Sequence, residues 1–84
     1  MTIESLYKDI DDLTSLVASA GHPSEAKAIS DAVRFGYTGT EILWSARYCI
    51  LRLLALTDRL PAEVIAAGRA IVATIDDIET AGNG

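Results

Sequence analysis

The sequence predicts an all-α fold: a small antiparallel bundle of four helices over about residues 3–20, 23–35, 39–57 and 61–80, in one domain covering residues 1–84. Three observations predict it. Apolar residues recur three and four positions apart, the spacing that lines one face of a helix. No segment alternates apolar and polar residues for long enough to compete as a strand. Gly21, Pro23, Gly36 and Pro61 fall between the periodic segments, where helices stop and restart. The short connections make successive helices antiparallel, in an up-and-down bundle or in a three-helix core with the second helix lying across it.

The first helix follows from Ile3, Leu6, Tyr7, Ile10, Leu13 and Val17, which share one face. Thr2 is placed to cap its start, Glu4 to meet the positive end of the helix dipole, and Gly21 to close it in a left-handed turn. The second helix begins at Pro23, whose fixed φ suits a first turn, and ends at Gly36. Its inward face, Ala26, Ile29, Ala32 and Val33, is mostly small and buries little area per residue. Thr38 and Glu41 stand three apart at the head of the third helix, the spacing of a capping box. On that helix Glu41, Ser45, Arg52 and Arg59 form a narrow polar stripe, and nearly everything else is apolar. Pro61 drives the preceding residue out of helical geometry and restarts the chain. The fourth helix presents Val64, Ile65, Gly68, Ile71, Val72, Ile75 and Ile78, with Gly68 where a missing side chain lets another helix approach. The closing Ala-Gly-Asn-Gly reads as a frayed tail.

A chain of 84 residues, 50% hydrophobic and 23% charged, has the composition of a globular domain with one core. At this size burial is marginal, and a partner subunit is a common remedy. Cys49 is the single cysteine, so an intrachain disulfide and a monomeric thiolate metal cage are both excluded, and the thiol reads as a small buried hydrophobe. Met1 to Ile10 lacks a basic region followed by an apolar run, and the longest apolar run is broken by Arg52; the reading is a cytoplasmic chain with no membrane contact. A net charge of −5 disfavours binding to phosphate backbones, and with it a DNA-linked role for the third helix.

No catalytic, cofactor-binding or metal-ligating set is expected. A nucleophile needs a base beside it, and His22 in its Gly-Pro turn is far in sequence from Cys49 on the third helix. The carboxylates at Asp9, Asp11 and Asp12 and at Asp76, Asp77 and Glu79 lack the Glu-x-x-His pattern of bundle metal centres; Asp11, Asp12 and Asp77 read as solvated surface. Gly36-Tyr-Thr-Gly39 follows no strand and carries no lysine, so it reads as an interhelix turn and not a phosphate loop.

The third helix raises the functional question. Trp44, Tyr48, Leu51 and Ala55 make a second apolar surface, apart from Ile42, Ala46, Ile50 and Leu53, and Arg47 lies beside it. Either the stem of Arg47 covers apolar surface while its guanidinium reaches water or an acid, or it is paired in an interface with a carboxylate such as Asp9 or Glu79. Two apolar faces need two covers, the first and fourth helices on one side and the alanine-rich second helix on the other. The interface candidates are therefore Trp44, Arg47, Tyr48, Leu51 and Ala55, residue types enriched where proteins meet.

The segment YTGTEILWSARYCILRLL, residues 37–54, resembles a stretch of small uncharacterised bacterial helical proteins, in which a Thr-Gly turn leads into a helix with an aromatic and an Arg. The resemblance implies a bacterial source and no activity. The functional expectation is a non-enzymatic, acidic interaction protein that forms homo-oligomers, a dimer first, and binds a basic protein partner; an immunity- or antitoxin-like inhibitor is one version. The alternative is a small helical enzyme or carrier that grips an anionic ligand through Arg47, helped by Tyr37 or Tyr48.

Overall fold

Four helices follow one another in the computed structural model, which describes residues 3–36 and 38–83: α1 (Ile3–Ser19), α2 (Pro23–Phe35), α3 (Gly39–Leu54) and α4 (Ala62–Asn83), with a 3-10 turn at Thr57–Arg59 before α4. The Thr2 cap expected for α1 lies outside the described residues, as does Tyr37. α1 ends where Gly21 adopts φ +93°. There the His22 N–H donates to Val17 O at 3.1 Å and the Gly21 N–H to Ala18 O at 3.1 Å, the paired bonds of a Schellman cap, which satisfy carbonyls the helix leaves open.

Gly36 does not take the left-handed conformation; it is extended at φ −72° and ψ 145°. Its glycine is required by crowding instead. A Cβ at Gly36 would collide with Ile42 Cγ1 and stand 3.2 Å from Ile42 Cα, so the chain turns from α2 into α3 through space a side chain would fill. α3 then starts as expected, with Thr38 Oγ1 accepting from the Glu41 N–H at 3.1 Å.

Two helix ends differ from the sequence expectation by several residues. α3 stops at Leu54 and not near 57, and the chain tightens into a turn before Pro61, which bars helical geometry at Leu60: the Leu56 N–H reaches Leu53 O at 2.9 Å and the Arg59 N–H reaches Leu56 O at 2.8 Å. α4 continues past Thr80 to Asn83, so the expected frayed tail is helical as far as it is described. Pro61 sits just ahead of α4, its carbonyl accepting from Val64 at 3.1 Å.

The helices pack in a ring, α1 on α2, α2 on α3, α3 on α4 and α4 on α1. This is the up-and-down arrangement, with α2 and α4 on the flanks of α3, and it corrects the expectation that α2 covers the second apolar face of α3, where Trp44 and Tyr48 stay exposed. Arg47 in the middle of α3 meets Asp76 in the second half of α4, whereas Leu54 at the end of α3 meets Gly68 early in α4, so the two run antiparallel. Gly68 is the close-approach point the sequence suggested, since a Cβ there would stand 3.0 Å from Leu54 Cδ2 and 3.4 Å from Ile50 Cγ2.

The core lies on the bundle axis. Leu6, Ile10, Leu13 and Val17 from α1, Ile29 from α2, Ala46, Ile50 and Leu53 from α3 and Val64 and Ile75 from α4 are all essentially solvent-free. Each fully buried Leu or Ile contributes about 1.5–3 kcal/mol. The Cα radius of gyration is 12.1 Å, matching the roughly 12 Å expected for a compact chain of this length. Among the described residues no helix is long and apolar enough to cross a membrane.

Candidate functional site

A helix in a ring of four has two neighbours and one outward side. For α3 that outward side is apolar. Trp44 is 52% exposed, Tyr48 62% and Leu51 39%, and Ala55 is exposed with them. At 100° per residue these four positions fall within about 60° of the helix circumference, so they form one straight ridge along α3. The expected second apolar face therefore exists and, within one chain, is uncovered. Ile50, Ala46 and Leu53 spend the inner face of α3 on the core.

Arg47 flanks this ridge on the α4 side. Its Nε donates to Asp76 Oδ1 at 2.7 Å, with the Arg47 side chain 28% exposed and that of Asp76 50% exposed. The pair is thus half-solvated, and its carboxylate is Asp76, not Asp9 or Glu79. The guanidinium carbon also stands 5.7 Å from the centroid of the Trp44 ring, within cation–π range. On the other flank Arg52 stands 5.8 Å over Tyr48. Phe35, at the end of α2, is 68% exposed with Arg34 at 5.7 Å. Phe35 was missed by the sequence reading; its place off the inward face set by Ala26 and Ile29 was the available signal.

Beside Arg52 the surface dips into a groove of about 350 Å³ between α2 and α3, walled by Tyr48, Cys49, Leu53 and Glu25. Cys49 is half-buried rather than fully buried, and its thiol donates to Ala28 O at 3.7 Å. Burial pushes that thiol above its usual pKa, and the charge of Arg52 opposes the shift. His22 has its Nε2 3.3 Å from Arg59 O and its Nδ1 3.9 Å from Glu25. Nucleophile and base are therefore engaged with other groups.

The acidic clusters divide. Asp9 and Asp12 border a groove of about 220 Å³ between α1 and α4, floored by Leu13, Leu16, Ala67 and Ile71. Asp76 is drawn to Arg47, and Asp77 is exposed on α4. Among the described residues no three His, Cys, Asp or Glu side chains converge so as to hold a metal ion. The arrangement with chemical potential for recognition is the α3 ridge: two aromatic rings and a leucine in line, each ring overlain by an arginine. No family model matches this chain, and no curated protein or solved structure matches it significantly.

Proposed function

We propose that this protein is a non-enzymatic interaction module that self-associates, as a dimer, through the outward ridge of α3. The observation that carries the reading is the contiguous exposure of Trp44, Tyr48, Leu51 and Ala55 on one helix face. Exposed apolar side chains scattered singly are ordinary; a continuous ridge with aromatic anchors and an arginine border has the composition of a protein contact. The exposed parts of Trp44, Tyr48 and Leu51 amount to roughly 300 Å² per copy, given the 150–250 Å² that an aromatic side chain buries. With the flanking polar side chains, a two-copy contact reaches about 1,000 Å², the lower edge of specific interfaces. The association is therefore weak, in the micromolar range.

A basic protein partner belongs to the same proposal, at a different surface. Asp9 and Asp12 on the border of the α1–α4 groove place carboxylates around an apolar floor, the pattern that steers and then seats a cationic side chain. An anionic ligand at Arg47, the alternative reading, has to displace Asp76 from a 2.7 Å contact. A cytoplasmic setting fits the single free thiol.

Sedimentation equilibrium tests the self-association. The mass rises from the 8.9 kDa of one chain toward twice that value as concentration passes through the micromolar range, and Tyr48→Glu holds it at one chain. A wild-type mass that stays at one chain throughout refutes the proposal.

A further inference from the structure

The ridge is symmetric along its own helix. Trp44 and Ala55 lie equally far from the Cys49–Ile50 peptide bond, on opposite sides of it, and so do Tyr48 and Leu51. When two copies of one helix pack antiparallel about a two-fold axis at that midpoint, each residue faces its mirror position. Trp44, the largest side chain of the ridge, then lies over Ala55 of the second copy, the smallest, and Tyr48 lies over Leu51. Large meets small at both ends and intermediate meets intermediate in the centre, so the two ridges interdigitate without a gap. A parallel pairing sets Trp44 against Trp44 and Ala55 against Ala55, which crowds one end and leaves the other empty.

The side-chain charges of α3 do not select the direction. Glu41 is in its first turn and Arg52 in its last, and Arg59 follows in the 3-10 turn. In the antiparallel register Glu41 lies level with Asp58 of the second copy, with Arg59 beside it, and Arg47 lies level with Arg52. Parallel pairing likewise sets Glu41 against Glu41 and arginine against arginine. Arg47 is neutralised by its own Asp76 and brings no net repulsion to the flank. The helix dipoles also oppose each other when the helices run antiparallel.

From this symmetry we infer that the ridge of α3 is built for a second copy of the same chain, joined as a two-fold antiparallel α3–α3 pair with Trp44 over Ala55 and Tyr48 over Leu51. The inference rests on the self-association reading above and adds the direction of the pair and its register. Closed two-fold symmetry also limits the assembly to two chains, whereas docking the ridge into the acidic α1–α4 groove of another copy would propagate into longer oligomers.

One spin label decides the register while leaving the ridge intact. Thr40 is exposed, one residue before Glu41, and Thr40→Cys on a Cys49→Ser background carries the label at one defined place. Serine at position 49 retains a donor for Ala28 O. In the antiparallel pair the two labels are offset by 19 positions along the helix axis, about 28 Å at 1.5 Å per residue, and pulsed dipolar spectroscopy reads a separation near 30 Å. A parallel pair brings them within about 20 Å, because helix axes in contact are about 8–10 Å apart. Dimer mass with a separation near 30 Å supports the inference. Dimer mass with a shorter or much longer separation overturns the register and leaves self-association standing, and a mass above two chains points to the heterologous groove and overturns it too. Monomer mass with no dipolar coupling removes both readings.

Discussion

Arg47→Ala separates a half-solvated ion pair from a buried one. The Arg47 side chain is 28% exposed and that of Asp76 50%, so the Coulomb attraction at 2.7 Å is heavily screened by water. Exposed ion pairs contribute about 0.2–1 kcal/mol, and a solvent-accessible cation–π contact such as that with Trp44 adds about 0.5–1 kcal/mol. The expected loss on Arg47→Ala is therefore about 1–1.5 kcal/mol. Breaking a buried pair costs about 3–5 kcal/mol, because a desolvated carboxylate is left behind; here Asp76 relaxes into solvent. Urea denaturation of wild type, Arg47→Ala, Asp76→Ala and the double variant, at concentrations low enough to keep the chain monomeric, gives a double-mutant cycle. Its coupling energy should be about 0.5–1 kcal/mol and should shrink at molar salt. A loss of 3 kcal/mol or more in Arg47→Ala, or zero coupling to Asp76, refutes this account of the pair.

Gly36→Ala drives its Cβ into Ile42 and to 3.3 Å from Ala32 O, and backbone on two sides cannot move aside. It should cost about 1–3 kcal/mol and lower Tm by several degrees in a thermal melt; an unchanged Tm contradicts the crowded turn. At Gly68 the nearest neighbour is the flexible end of Leu54, 3.0 Å away, so Gly68→Ala trades about 1 kcal/mol of helix propensity against a small shift and stays close to wild type. Gly68→Leu forces α3 and α4 apart and should lose more than about 2 kcal/mol; equal stability of the two variants contradicts the close approach. The Cys49 thiol, held above its usual pKa by burial, should be alkylated more slowly at mildly alkaline pH than a free thiol. Because the folded state favours the protonated form, its contribution to stability is full below the pKa of the unfolded thiol and is lost as pH rises through the folded value. Denaturation midpoints of Cys49→Ala should lack this alkaline decline, and a decline of equal size in that variant assigns it to other groups.

The helices were legible where local chemistry decides them. The α1 face repeats without interruption, Gly21 supplies its left-handed cap, and Thr38 caps α3 through Glu41. The end of α3 was not legible, because apolar residues continue through Leu56 and no glycine or proline stands between Leu54 and Leu60. The partner of Arg47 was not legible for a related reason. It depends on the register between α3 and α4, which is set by the approach of Gly68 to Leu54 and Ile50, a tertiary fact that periodicity does not contain. The α3 ridge was visible as a second apolar face. What remained hidden was that α2 packs on a flank of α3 and leaves the ridge outside.

The single tryptophan of the chain is Trp44, at one end of the ridge, so its fluorescence reports on the surface in question without any label. Emission should shift to the blue as protein concentration rises through the micromolar range, following the same curve as the mass measured by sedimentation, because the half-exposed indole enters the Ala55 face of a second copy. Ala55→Arg should abolish both changes together. A doubling of mass with Trp44 emission unmoved would place the contact elsewhere and contradict the account, as would an unmoved emission with a mass that stays at one chain.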